Sequence, residues 1–310
     1  MNISIVIPIF NEEGNIPLLY ERVVNTLQAK SLSFEIIFVN DGSKDNSLEK
    51  IIQLSSSDSR VKYIDLSRNF GHQIAVSAGL NNTQGQAVVI IDADLQDPPE
   101  LINELYQKYK EGFEVVYAKR KSRKGENFLK LVTAKLFYKT LRNITSIDIP
   151  LDTGDFRIID HKVVEELRKM PEPNKFLRGQ ISWIGFRQTF VEYDRQERAS
   201  GKTGYTYRKM IKFALDGITS FSESPLKVAT VMGFVVSFAA FFMLLYAFYS
   251  RLISKDYVPG WASLIISVLF LGGIQLLSLG IIGEYISRIM SNVRKRPLYI
   301  ISKSNIESAK

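Results

Sequence analysis

Two long stretches near the end of the chain, Val228–Tyr249 and Trp261–Gly283, contain no charged residue. A bilayer core about 30 Å thick is crossed by about 20 apolar helical residues. Within lipid, backbone hydrogen bonds must close internally, which leaves helices as the solution for isolated apolar stretches of this length. The sequence therefore predicts two transmembrane helices at 228–249 and 261–283. The connection Ser250–Gly260 is short, so the spans form a hairpin with both outer ends on one side. Arg208, Lys209, Lys212 and Lys227 precede the hairpin, and Arg288, Arg294, Lys295 and Arg296 follow it. The connecting loop carries only Arg251 and Lys255, offset by Asp256. Basic flanks mark the cytoplasmic side, so the large N-terminal part and the C-terminal tail are expected there. Glu284 and Arg288 have the i,i+4 spacing of a helical ion pair.

The chain has 310 residues and a formal charge of +8. Because the basic residues crowd the membrane flanks, an anionic lipid surface is a better partner than nucleic acid. With no cysteine, disulfide and thiolate chemistry are excluded. The two histidines, His72 and His161, lack ligand spacing and read as structural or surface residues.

The first two-thirds alternates β-rich runs with helical patterns. Strands are expected at Ser4–Ile9, Glu35–Val39, Val61–Leu66, Ala87–Ile91 and Glu114–Ala118. Helices are expected at Ile16–Ala29 and Gln73–Asn81 and from Pro98-Pro99-Glu100 onward, with Ser43 as a candidate cap. Such alternation predicts an α/β domain built on a mostly parallel sheet. Ligands on these sheets sit beyond the carboxyl ends of the strands. Those ends carry Asn11-Glu12, Asn40-Asp41, Asp92-Ala93-Asp94 and Lys119-Arg120. Two carboxylates one residue apart suit a hard cation, Mg²⁺ or Mn²⁺, that shares a substrate's phosphates. No glycine-rich phosphate loop is present, which disfavours a Rossmann dehydrogenase and a P-loop NTPase. The basic run Lys119–Lys124 with Lys130, Lys135 and Lys139 is a candidate headgroup-docking surface. Phe128–Leu141 has the pattern of a basic amphipathic helix at a membrane interface, and Tyr205–Ser222 continues it.

These residues together resemble glycosyltransferase family 2. The resemblance rests on Ile5–Glu13, Val39-Asn40-Asp41-Gly42-Ser43, Asp92–Glu100 and Thr153-Gly154-Asp155-Phe156-Arg157, and on the C-terminal hairpin. It runs from Ile3 to about Ile300 and points to the polyprenyl-phosphate subgroup, which includes bactoprenol glucosyltransferases and dolichol-phosphate mannose synthases. It implies a GT-A (Rossmann-like) catalytic domain at 1–204, an amphipathic juxtamembrane segment at 205–227, the hairpin at 228–283 and a tail at 284–310. It implies nucleotide binding by Pro8, Phe10, Glu12, Val39, Asp41, Asp92, Ala93, Gln96 and Lys202, and a metal site at Asp92, Asp94 and Gln96. Asp155, Asp94 and Arg198 are the implied catalytic residues. Asp155 matches the family's base, and Arg198 with Lys202 resembles the loop that closes over the donor phosphates. Arg120, with Lys135 and Arg157, is assigned to the acceptor phosphate.

The implied reaction is inverting transfer of a single sugar to undecaprenyl phosphate at the cytoplasmic leaflet of a bacterial inner (plasma) membrane. UDP-glucose or UDP-N-acetylglucosamine is the expected donor. The product would serve cell-envelope glycosylation and need a separate flippase. A homo-oligomer is implied, a tetramer among the options. A phosphate acceptor, with a second pKa near 6, is already largely a dianion at neutral pH. Asp155 is therefore expected to orient groups more than to abstract a proton. A processive polysaccharide synthase is disfavoured because Trp183 follows Ile181-Ser182 instead of completing a Gln-x-x-Arg-Trp motif. A non-catalytic, flippase-associated scaffold is disfavoured by the intact Asp41, Asp92, Asp94 and Asp155.

Overall fold

The computed structural model describes residues 1–121, 153–170, 172–194, 224–249 and 260–306. The chain divides into two compact units. The first holds an eight-stranded sheet ordered β7-β5-β6-β4-β1-β2-β3-β8. Its strands are β1 (Ile3–Ile9), β2 (Phe34–Asn40), β3 (Val61–Leu66), β4 (Ala87–Ile90), β5 (Val115–Arg120), β6 (Thr153–Asp160), β7 (Gln188–Tyr193) and β8 (Ile301–Ser304). Strands β1 to β4 pair in parallel, and β6 and β8 run antiparallel to their neighbours. The expected mostly parallel α/β sheet is what forms.

Alternation along β1 builds the core. Ile3, Ile5, Ile7 and Ile9 face one layer, where they meet Ile16, Leu19, Val23 and Leu27 of α1 (Ile16–Gln28). Val6 faces the other layer, with Val76 and Leu80 of α3 (His72–Leu80). Each such side chain contributes about 1.5–3 kcal/mol when fully buried. The first layer also takes α4 (Ile102–Lys110), entered through the short 3₁₀ turn Pro99–Leu101. The second takes α5 (His161–Lys169) and α6 (Leu177–Ile184). Helix α2 (Ser47–Ser57) connects β2 to β3. Gly79 lets α3 lie close on the sheet, because a Cβ there would collide with the Val6 side chain.

Pro8 sits inside a central strand, where the missing N–H normally breaks a ladder. Pairing of β1 with β4 ends at Val6 and Ile90, while pairing with β2 continues to Ile9. Pro8 shares the parity of Val6, whose carbonyl accepts the Ile91 N–H. The proline nitrogen therefore points where β4 has already ended, and no bond is lost.

In the tail, Ile301–Ser304 adds an edge strand to β3 that the sequence did not suggest. Ser67 N–H donates to Ile300 O at 2.9 Å, and Asn81 Nδ2 donates to the Tyr299 hydroxyl at 3.0 Å. Strands β6 and β7 and helices α5 and α6 were likewise not anticipated as elements.

The second unit contains α7 (Ser224–Tyr249) and α8 (Trp261–Val293), which pack on each other as a hairpin. Both are long and apolar enough to cross a membrane, with mean hydropathy 1.8 over Pro225–Phe242 and 1.4 over Phe270–Val293. Large apolar side chains face outward, among them Phe234, Tyr246 and Leu276 at 70% exposure or more. Helix α8 runs past the expected end at Gly283, and its extension carries the Glu284–Arg288 pair at 3.2 Å. The expected amphipathic segments at 128–141 and 205–222 lie outside the described residues, as do Lys135, Arg198 and Lys202.

Candidate active site

A cleft of about 410 Å³ opens at the carboxyl ends of β1, β2 and β4. That is within the ordinary range for a small-molecule site, about 300–1,000 Å³. Of the sequence candidates, it is lined by Pro8, Phe10, Glu12, Asp41, Asp92, Ala93 and Asp94. Asn69, Gly71 and His72, from the β3–α3 connection, also line it and were not singled out for it. A strand-end signal for them existed, since Asn69-Phe70-Gly71 follows β3 at the same sheet edge.

Two loops form one wall. Asn11, at φ 56°, donates its N–H to Ser43 Oγ at 3.0 Å and accepts the Lys44 N–H at 2.8 Å. Glu12 N–H donates to Ser47 Oγ, and the Glu12 carboxylate accepts from Asn15 Nδ2. Gly42 sits at φ 68°, and a Cβ there would lie 2.6 Å from the Arg68 and Asn69 backbone. Asp41 accepts the N–H groups of Phe70 and Gly71 at 2.7 and 3.0 Å. Burial pushes the Asp41 carboxyl up, and those two N–H bonds pull part of the way back. Phe10, 46% exposed, presents a flat apolar face at the cleft.

The opposite wall is acidic. Asp92 and Asp94 both line the cleft, and the chain turns directly after them at Leu95, buried in the core at φ 58°. A left-handed residue costs about 1–2 kcal/mol. Gln96 donates its backbone N–H to Asp94 Oδ1 at 3.2 Å, and its side chain is not part of the lining. Val39 is fully buried in the sheet and reaches the cleft only through its neighbours.

His72, read from the sequence as structural or surface, lines the cleft. It opens α3 with Nε2 3.5 Å from Asp92 Oδ1 and 3.2 Å from Asp155 Oδ2. Partial desolvation alone would lower its pKa; the Asp92 charge and the Asp155 hydrogen bond outweigh this and raise it to about 9. Burial, opposed by the His72 charge and helped by the neighbouring carboxylates, raises Asp92 to about 6. His161, by contrast, is partly exposed and lies 3.8 Å from Glu165, in keeping with a surface role.

Asp155 stands at the start of β6, and four side chains converge on it. Arg178 Nε and Arg157 Nη2 donate to Oδ1 at 2.9 and 3.1 Å, and Gln73 Nε2 and His72 reach Oδ2. Burial opposes its ionisation, but Arg178, His72 and Arg157 win and hold the carboxyl well below its usual range. Arg157 is 1% exposed and also donates to Gly154 O at 3.0 Å, so it braces Asp155 from below instead of facing a phosphate. Arg178 was missed because nothing in sequence spacing links it to Asp155. Arg120, at the end of β5, lies 4.0 Å from Asp97 and donates to the Tyr193 hydroxyl, which itself bonds Asp97.

The acidic wall fits a hard cation. Asp92 Oδ1 is buried and accepts no hydrogen bond, and Asp94, two residues on, lines the same cleft. Among the described residues no group of three or more His, Asp or Glu side chains encloses a metal position. Mg²⁺-type sites commonly use only one or two carboxylates and complete their shell with water and substrate phosphate.

Comparison with known proteins agrees with this arrangement. Residues 4–168 match the family "Glycosyl transferase family 2", and residues 224–289 match "GtrB C-terminal hairpin". The glycosyltransferase YkcC of Bacillus subtilis is 52% identical over 301 residues, 97% of this chain and 93% of that protein. A prophage bactoprenol glucosyl transferase homolog of Escherichia coli is 43% identical over 303 residues, 98% of this chain and 99% of that one. The bactoprenol glucosyl transferase of Shigella phage SfII is 43% identical over 305 residues, with 98% and 99% covered. With a GT-A-like sheet, carboxylates at its strand ends and an apolar C-terminal hairpin, the chain belongs to glycosyl transferase family 2 and is a glycosyltransferase of the group that carries the GtrB hairpin.

Proposed function

We propose that this enzyme transfers one sugar from a UDP-linked donor to undecaprenyl phosphate at the cytoplasmic face of the membrane, with inversion at the anomeric carbon. The observation that carries the reading is the cleft itself: paired carboxylates at the end of β4, opposite an exposed aromatic ring, in a chain that also holds a membrane-length hairpin. The names of the bactoprenol relatives support the same acceptor. The basic flanks of the hairpin support the cytoplasmic side.

In this reading Phe10 stacks on the base, and the loops held by Asp41 and Gly42 receive the nucleoside. Asp92 and Asp94 would hold a Mg²⁺ or Mn²⁺ ion, which would supply positive charge against the departing diphosphate. An acceptor phosphate oxygen attacks the anomeric carbon as the bond to the UDP oxygen breaks. The acceptor is already anionic, so no strong base is required. Asp155, held ionised by Arg178, His72 and Arg157, is a poor proton acceptor and a good anchor. Arg198, Lys202 and Arg120 add cationic charge around the phosphates. A separate flippase takes the product across, and the enzyme works as a homo-oligomer.

The test is sugar transfer by detergent-solubilised protein to undecaprenyl phosphate, offered a panel of labelled UDP-sugars and GDP-mannose with and without Mg²⁺ or Mn²⁺. Metal-dependent transfer of one sugar, abolished by Asp94→Ala, is the expected result. A folded protein with neither transfer nor UDP binding would overturn the reading.

A further inference from the structure

We propose that His72 is a positioning residue for the transfer step: its Nε2 lies between Asp155 Oδ2, at 3.2 Å, and Asp92 Oδ1, at 3.5 Å, and so keeps the inner carboxylate and the diphosphate-side carboxylate in one geometry. The inference deepens, and rests on, the transferase reading above.

The placement is specific. His72 lines the cleft and is 41% exposed, whereas Asp155 is 14% exposed and is not part of the lining. Any hold that Asp155 has on the cleft therefore passes through a neighbour that does reach it. Its Oδ1 is already taken by Arg178 and Arg157. Its Oδ2 faces His72 and Gln73, consecutive residues at the start of α3. Gln73 is turned inward as well, since its Oε1 accepts the Leu177 N–H at 3.2 Å. His72 thus connects Asp155 with Asp92, whose Oδ1 has no hydrogen-bond partner of its own.

The imidazole is also pre-set. Gly71 takes φ 104° immediately before it, and the N–H groups of Phe70 and Gly71 are held by Asp41. Close packing of Gly79 on Val6 fixes the helix that follows. The fold has these other means of holding α3, so the ring's contribution lies at the cleft. A side chain supplied this way works through its neighbours, and outer-shell partners of metal-site groups commonly account for about 10–100-fold in activity.

The experiment compares full-length wild type, His72→Ala and His72→Gln in detergent, with UDP-sugar, undecaprenyl phosphate and Mg²⁺ or Mn²⁺. His72→Ala is expected to lower kcat about 10–100-fold while the donor KM and Tm stay near wild type. An interaction that matters only in the transition state has this signature. His72→Gln, whose amide N–H can still reach Asp155 Oδ2, is expected to recover part of the loss. Should His72→Ala fail to fold, His72→Leu, which keeps bulk and removes the donor, takes its place in the comparison. The inference is overturned by a kcat within about twofold of wild type. It is equally overturned by kcat, donor affinity and Tm falling together, or by a Gln variant no better than Ala. Absence of transfer by the wild-type protein from any donor would sink the transferase reading and this inference with it; wild-type transfer indifferent to His72 would sink this inference alone.

Discussion

Asp41 holds Gly71: the carboxylate that ends β2 accepts the Gly71 N–H at 3.0 Å, together with that of Phe70 at 2.7 Å. The contact joins the Asp41 wall of the cleft to the loop that delivers His72. Asp41→Asn replaces one accepting oxygen by an amide that faces an N–H donor. Hydrogen bonds to a charged group contribute about 1.5–3 kcal/mol, so a loss of about 2 kcal/mol is expected. UDP binding should weaken with it. Thermal unfolding and calorimetric UDP titration check this; an unchanged midpoint with unchanged affinity would refute it.

Gly42→Ala tests the same wall from the other side. The left-handed φ alone costs a Cβ-bearing residue about 1–2 kcal/mol, and the new Cβ would also push on Arg68 and Asn69. The variant should therefore lose both stability and UDP affinity. Preserved affinity in a destabilised variant would show that the Arg68–Asn69 segment does not shape the nucleoside site.

For the acidic wall, Asp94→Ala should leave Tm close to wild type, since Asp94 is partly exposed. It should abolish the increase in UDP affinity that Mg²⁺ or Mn²⁺ produces, and EDTA should reproduce that loss in the wild type. UDP binding that ignores both EDTA and the substitution would remove the metal from the mechanism.

Asp155 is ionised throughout the physiological range, because its pKa lies well below the ordinary carboxylate value. Asp155→Asn should consequently reduce kcat by a similar factor at every pH between about 6 and 9. A loss that is large at low pH and vanishes at high pH would instead mark Asp155 as a base. Stability should fall as well, since breaking one side of a buried ion cluster costs about 3–5 kcal/mol.

Asp58 gives the clearest acid dependence away from the cleft. Hydrogen bonds from Arg60 lower its pKa from 3.8 to about 2, against a smaller opposing effect of burial, with the Tyr20 hydroxyl also donating to it. The folded state thus binds this proton less readily than the unfolded chain. Its stabilisation is complete above about pH 4 and fades as the pH falls toward 2. Arg60 is 35% exposed, so solvent screening holds the contribution of the pair to about 1 kcal/mol or less. Asp58→Asn should lower Tm at pH 7 and have little effect near pH 2, as read from unfolding curves across that range. An equal loss at both pH values would show that the ion pair is not the cause.

Much of this site was legible before the fold was known, for a local reason. Asp41, Asp92 and Asp94 each follow a short apolar run, and the end of a buried parallel strand is where such a residue must emerge. The hairpin was legible from the absence of charge alone. Strand β8 was not, because Ile301–Ser304 is exposed throughout and carries no buried alternation. It exists because β3 offers an edge. The surroundings of His72 were not legible for a related reason: its neighbours Asp92 and Asp155 lie just beyond β4 and on β6.

The sequence by itself determined the α/β sheet, the acidic strand ends and the two membrane-length helices, since each is written in a continuous stretch with its own period or its own lack of charge. Only the tertiary structure decided what surrounds Asp155. Gln73 lies 82 residues before it and Arg178 lies 23 after it. The start of α3, the start of α6 and the antiparallel strand β6 meet at one sheet edge. No local pattern encodes that meeting, because it follows from how helices on one face close over the sheet.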